Sequence, residues 1–313
     1  MPYLPKQGFL KRMKIYLAEM YPVPLRLLAA VLLYISFVAF LGEIHGVQTR
    51  ILSPGAFIGI WSLFAILLIL RLMDELKDRD IDGELFGDRP LPSGKVLESD
   101  IRFSLILVTL LYLAANVLLG AALWMAVLVL GYALLMFVRF FAPRVLRKSL
   151  LLTLATHNPI VPVMLYYVVI LFLVEHELPL GKVKWDLVLL LIAMYWTISF
   201  AWEIARKIRC REEEDVYVTY SQIFGRIKAV LVAGGAQTIA LAIGLYFYAT
   251  LSFSWIFAAI LTTGYAITMW SHGRFILRPS PVTSKLKPFA ESYIVTLFIA
   301  GIAEYAIPHL IGE

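Results

Sequence analysis

The chain has 313 residues, of which 61% are hydrophobic and only 16% charged, with a mean hydropathy of +0.82. No soluble domain of this size needs that much apolar surface, so most of the chain is expected to lie in lipid. The single cysteine, Cys210, excludes an intramolecular disulfide framework, and the net charge of +6 does not point to nucleic acid, because the basic residues are dealt out between apolar runs.

Residues 6–21 place Phe9, Leu10, Met13, Tyr16, Leu17 and Met20 at helical spacing, with Lys6, Lys11, Arg12 and Lys14 between them. They read either as an interfacial amphipathic helix, apolar face against lipid and lysines among the headgroups, or as a basic tail that orients the protein. Lys11, Arg12 and Lys14 break up the run, so it does not read as a cleavable signal peptide.

Nine apolar runs long enough to cross a bilayer follow, at roughly 25–41, 52–72, 102–119, 122–141, 154–174, 186–202, 229–250, 253–271 and 289–309. One helix over 103–141 would overshoot the bilayer, so a tight turn is expected at Gly120. With these spans, Arg50, Lys182 and Lys184 fall on one side of the membrane and every other lysine and arginine falls on the other. The positive-inside rule then puts the N-terminus and the loops after spans two, four, six and eight in the cytoplasm, and the C-terminus on the opposite side. The expected class is all-α: a polytopic membrane bundle of about nine transmembrane helices, forming one domain over 1–313. It carries an N-terminal interfacial segment at 1–24 and cytosolic loops at 73–101 and 203–228.

The loop after span two holds seven carboxylates between Asp74 and Asp88. If the helix of span two continues past the membrane surface, Asp74, Asp78 and Asp82 share one face, and Glu75 can join them. Like charges at that spacing repel, and Mg²⁺ would resolve the conflict by taking a few carboxylates together with water and phosphate oxygens. Asp80 points elsewhere, toward Lys77 or Arg79. A solvated charged loop is the plain alternative. Against it stands the sequence Arg89-Pro90-Leu91-Pro92-Ser93-Gly94-Lys95, whose prolines fix a rigid turn and whose Arg89 and Lys95 could reach phosphate oxygens near the acidic face.

This stretch resembles the first aspartate-rich motif of the UbiA family of intramembrane prenyltransferases, Asn-Asp-x-x-Asp-x-x-x-Asp followed by Arg-Pro-[Ile/Leu]-Pro-Ser-Gly. Asp74 takes the Asn position, Glu75 the first Asp, Asp78 and Asp82 the other two, and Arg89 through Gly94 match the tail. The resemblance implies a Mg²⁺-dependent enzyme with Asp74, Glu75, Asp78 and Asp82 as catalytic and metal-ligating residues. It would bind an isoprenyl diphosphate donor in membrane lipid and pass the allylic group to a small acceptor, such as an aromatic one.

The loop after span six, Glu203 to Asp215, ends on the same membrane face and is expected to converge with the first over one cavity. The family carries Asp-x-x-x-Asp here, preceded by another Asp. In this chain Lys207 stands at the preceding position, Cys210 at the first and Glu214 at the second, while Thr219 and Gly225 fit the residues that follow. A thiol is a poor Mg²⁺ ligand. Glu203, Glu213 and Glu214 could still supply oxygens, and Arg206, Lys207 and Arg209 suit direct phosphate binding. Glu203, Arg206, Lys207 and Glu214 are therefore expected at the headgroup site with Arg89 and Lys95.

Inside the spans, Asn116 and Gln237 read as interhelical hydrogen-bonding groups, whereas His157 and Asn158, before Pro159, could line the cavity. Tyr166, Tyr167, Tyr195, Trp196, Tyr265 and Trp270 offer faces that stabilise a carbocation, but interfacial belts account for most such residues. The alternatives are transfer of another diphosphate-activated group onto a polyprenyl phosphate, cyclisation of the prenyl chain, or, in a different class, a non-catalytic lipid-phosphate binder or transporter. A transporter more often shows broken helices with midplane charge.

Overall fold

A computed structural model describes residues 7–214, 216 and 218–311, the last five as backbone. Lys6 of the expected N-terminal helix and Asp215 of the second loop lie outside the described residues. Among the described residues the secondary structure is entirely helical. In chain order the helices are α1 (Phe9–Met20), α2 (Val23–His45), α3 (Pro54–Lys77), α4 (Arg79–Leu85), α5 (Glu98–Val117), α6 (Leu123–Phe137), α7 (Pro143–Leu146), α8 (Leu150–His157), α9 (Ile160–Glu175), α10 (Trp185–Ala205), α11 (Tyr220–Phe224), α12 (Arg226–Thr250), α13 (Trp255–Leu277) and α14 (Lys287–Ile311).

Eight helical segments among the described residues are long and apolar enough to cross a membrane. They match eight of the nine expected spans. The ninth, over 253–271, is also a helix, the 23-residue α13, but Thr262, Thr263, Ser271 and His272 lower its hydropathy below that of its neighbours. The fold is all-α and polytopic. The expected turn is present at Gly120, with φ of 52° in a short 3-10 segment between α5 and α6. The fifth span is divided into α8 and α9 at Asn158-Pro159, where proline cannot donate to the helical ladder.

The described residues form two compact units: those up to Tyr34 together with 50–143, and 35–49 together with those from Arg144 onward. In the first, α3 packs on α5 and α6. Asn116 donates to Ser62 Oγ at 2.8 Å and to the Tyr112 carbonyl at 2.9 Å, and Tyr112 donates to the Ala126 carbonyl at 2.9 Å. Asn116 thus has the helix-tying role expected of it.

Part of the apolar face of helix α1 packs on the protein. Tyr16 is fully buried and Met13 nearly so. Arg12 grips both oxygens of Asp100 at 2.6 Å, and Lys95 reaches Glu19 at 3.2 Å. Burial pushes the Tyr16 hydroxyl up to about 12 despite the opposing pull of Arg71. The helix is docked on its own unit because charged partners on α5 and in the loop after α4 hold its polar side, leaving Leu10 exposed.

In the second unit α10 packs on α12, and α13 on both α12 and α14. Small residues permit these approaches. A Cβ at Gly264 would come within 2.5 Å of Thr296, and one at Gly301 within 2.5 Å of Ser36. Ser36 Oγ and the Tyr195 hydroxyl share a buried 2.6 Å hydrogen bond. Tyr195 and Tyr167 are core residues rather than parts of an interfacial belt, whereas Trp270 is exposed.

Candidate active site on the first acidic loop

Helix α3 begins on a Ser53 cap, with Ser53 Oγ accepting from the Ala56 N–H, and runs 24 residues to Lys77. Asp78 then interrupts it with φ −105° and ψ 13°, and α4 restarts at Arg79. The hydrogen-bond ladder nevertheless crosses the break, from Asp78 N–H to the Asp74 carbonyl at 2.9 Å and from Asp82 N–H to the Asp78 carbonyl at 2.8 Å. The expected single helical face is therefore bent at its middle carboxylate.

Each acid of the motif has its own cation. Asp74 pairs with Lys77 at 2.7 Å, Glu75 with Arg71, Asp78 with Arg139 at 2.7 Å, and Asp82 with Arg89 at 2.7 Å. Like-charge repulsion is thus relieved by basic side chains as well as by any ion the site takes up. Glu75 is 1% exposed, and its Oε2 is buried without a partner. Asp82 is also buried, whereas the side chains of Asp74 and Asp78 are 48% and 38% exposed. Asp80 pairs with neither expected partner, since Lys77 is held by Asp74 and Arg79 by Glu98.

The turn after α4 is as rigid as its prolines suggest. Ser93 N–H donates to the Arg89 carbonyl at 2.9 Å, Val96 N–H to the Pro90 carbonyl at 3.1 Å, and Gly94 takes the φ of 74° that glycine tolerates. Arg89 lies over the Phe86 ring at 3.9 Å while gripping Asp82. Lys95, expected beside the acids, turns instead to Glu19 on α1.

Among the described residues no three acidic, histidine or cysteine side chains are grouped to hold a metal ion. The four acids therefore do not fit a shell of three or more carboxylates. Mg²⁺ is commonly bound through one or two carboxylates plus phosphate oxygens and water. Asp74 and Asp78, four residues apart and the most exposed of the four, fit that lesser requirement.

Sequence reasoning did not single out Arg139, which lies 61 positions from Asp78. Its only sequence signal is a basic residue closing an apolar run. Arg71, at the membrane edge, is likewise a partner of the motif rather than a topology marker alone.

In the second loop, Glu203 accepts from Arg206 at 2.5 and 2.9 Å and lies 3.5 Å from Lys207. The one Glu203 carboxylate is thus shared between the two cations expected beside it at the headgroup. Glu213 is likewise engaged, accepting from Ser284 Oγ at 2.5 Å and Cys210 Sγ at 3.1 Å. Burial favours its neutral form, but those hydrogen bonds outweigh burial and hold its carboxyl below the usual range. Burial, reinforced by Glu212 and Glu213, pushes the Cys210 thiol up to about 11, which keeps it protonated at neutral pH. Glu214 lines a cavity in the same loop. Asn158 accepts from Trp196 Nε1 at 2.5 Å and His157 Nδ1 lies 3.0 Å from Thr156 Oγ1, so Asn158 ties helices together.

No family model and no curated protein matches the chain. Solved structures do. The apo structure of a UbiA homolog from Aeropyrum pernix K1 is similar at a TM-score of 0.65 and 16% identity, covering 90% of this chain and 98% of that one. A structure of digeranylgeranylglyceryl phosphate synthase, described in membranes, is similar at a TM-score of 0.59 and 17% identity, covering 93% and 99%. The chain therefore has the fold of a UbiA homolog.

Proposed function

We propose that this chain is a UbiA-family intramembrane prenyltransferase that moves an isoprenyl group from a prenyl diphosphate to an electron-rich acceptor. The observation that carries the reading is the ordered run from Asp74 to Gly94, which follows a membrane-length helix on the fold of a UbiA homolog. The distribution of lysine and arginine supports a cytoplasmic position for both charged loops.

In this reading Asp74 and Asp78 would hold Mg²⁺, which would supply Lewis-acid stabilisation of charge on the departing diphosphate. Asp78 is released from Arg139, whose guanidinium is then free to bind phosphate oxygens from a fixed position. Arg89 is held between Asp82 and Phe86 and presents its remaining N–H donors to the same group. Glu75 and Asp82, buried in ion pairs, set the shape of the loop. Apolar helix surface receives the prenyl chain.

The test is to incubate the purified protein with Mg²⁺, a panel of prenyl diphosphates of different lengths and membrane-extract acceptors, and to identify products by mass spectrometry. A product heavier than the acceptor by one prenyl group supports the reading. Absence of both prenylated product and released diphosphate across the panel removes it.

A further inference from the structure

The polar residues that lower the hydropathy of α13 are partly gathered on one face. Tyr265, Thr268 and His272 fall at i, i+3 and i+7. That face lies against α12 and α14. Thr268 Oγ1 donates to the Gly264 carbonyl at 2.9 Å and lies 3.3 Å from the Phe289 carbonyl, and the Tyr265 ring stands 6.1 Å from that of Tyr293. On α12, Gly234 has no side chain, and a Cβ there would come within 3.3 Å of His272 Nδ1. Gln237 follows one turn later on the same side of α12.

The hydroxyls nearby are satisfied. Thr238 Oγ1 donates to the Gly234 carbonyl at 2.8 Å, so the Tyr265 hydroxyl, also at 2.8 Å, donates to Thr238. Gln237 and His272 are not. Gln237 is fully buried and His272 is 3% exposed. Both amide atoms of Gln237 and both ring nitrogens of His272 are buried with no hydrogen-bond partner among the described residues, as is the Tyr293 hydroxyl. A buried polar atom left unpaired bears its full desolvation cost. Asn116 shows the contrast, since its amide donates to Ser62 and to the Tyr112 carbonyl. Gln237 therefore does not tie helices together as its place in an apolar run suggests.

We propose that Gln237 and His272 form a binding site for a neutral hydroxyl group inside the second unit. A hydroxyl donates once and accepts twice, Gln237 offers a donor and an acceptor, and a neutral imidazole offers one of each. One hydroxyl can thus donate to one residue and accept from the other. It belongs either to a buried water or to an amphiphile that carries it on an aromatic ring. The site requires neither metal nor turnover, so it stands apart from the prenyl-transfer reading.

The test is a density map of the full-length protein at a resolution that shows ordered water, obtained with and without p-cresol. The expected result is density within hydrogen-bond distance of both Gln237 and His272. An isolated peak identifies water, and a peak joined to a ring in p-cresol identifies an amphiphile. In the second case p-cresol also raises the melting temperature in detergent, toluene, which lacks the hydroxyl, does not, and Gln237→Leu abolishes the shift. For either source Gln237→Met, close in shape, lowers the melting temperature because the bound hydroxyl loses a partner. An empty site, Gln237 bonded directly to His272, or a melting temperature raised by Gln237→Met overturns the proposal.

Discussion

Arg139 donates to the Asp78 carboxylate at 2.7 Å, and the same nitrogen lies 3.2 Å from the Lys77 carbonyl. One buried guanidinium therefore holds both the carboxylate at the helix break and the last carbonyl before it. Replacing Arg139 by Gln leaves both acceptors short of a donor. The expected loss is about 1–2 kcal/mol, less than for a fully buried pair because Asp78 is over a third exposed. It reads out as a lower melting temperature in detergent, and Arg139→Lys restores part of it. A melting temperature unchanged by Arg139→Gln contradicts this role.

The turn that aims Arg139 is strained. Arg139, Phe140 and Phe141 have φ of 52°, 48° and 58°, a left-handed run of three residues with side chains. Such backbone costs roughly 1–2 kcal/mol per residue. Phe141 is 79% exposed, so its replacement by glycine removes strain with little lost packing within the chain. Phe141→Gly is expected to raise stability by about 0.5–1 kcal/mol. A lower melting temperature would show that lipid or detergent contacts of the ring outweigh the strain.

Gly264 on α13 packs directly on Thr296 of α14, a β-branched residue with little room to yield. Gly264→Val should lower stability by about 1–3 kcal/mol through overpacking. Gly235, which has open space around its Cβ position, serves as the control. Gly235→Ala should leave the melting temperature unchanged or raised, since alanine is the better helix former.

Cys210 should react slowly with maleimide near pH 7.5, because burial and the neighbouring glutamates keep it protonated. Labelling should accelerate as pH approaches about 11. The sign for stability follows. The fold favours the neutral thiol, so its contribution is complete below the ordinary thiol value of 9.0 and is lost as pH rises through about 11. Fast labelling at pH 7.5, comparable to a free thiol, contradicts the assignment.

Spans and their order could be read from apolar length, because in lipid the backbone must bond within each segment. What hydropathy does not carry is which polar group a distant charge meets. The acidic motif was visible from Asp74 to Gly94, yet its counter-ion Arg139 lies in a different loop, brought there by the packing of α3 against α6. The docking of α1 was hidden for a related reason. Its pattern suits an interface, but Arg12 finds Asp100 and Lys95 finds Glu19 only once α5 and the turn preceding it are in place. In the second loop, charge density was legible, but the sharing of Glu203 between Arg206 and Lys207 depends on backbone geometry at the end of α10.

The central claim is that the loop around Asp78 drives departure of diphosphate from an isoprenyl donor. The direct measurement is diphosphate release from prenyl diphosphate in the presence of Mg²⁺, comparing the native chain with Asp78→Asn at matched folding. The account predicts release by the native chain and a loss of at least a hundredfold in Asp78→Asn. Release at the native rate by the variant contradicts it.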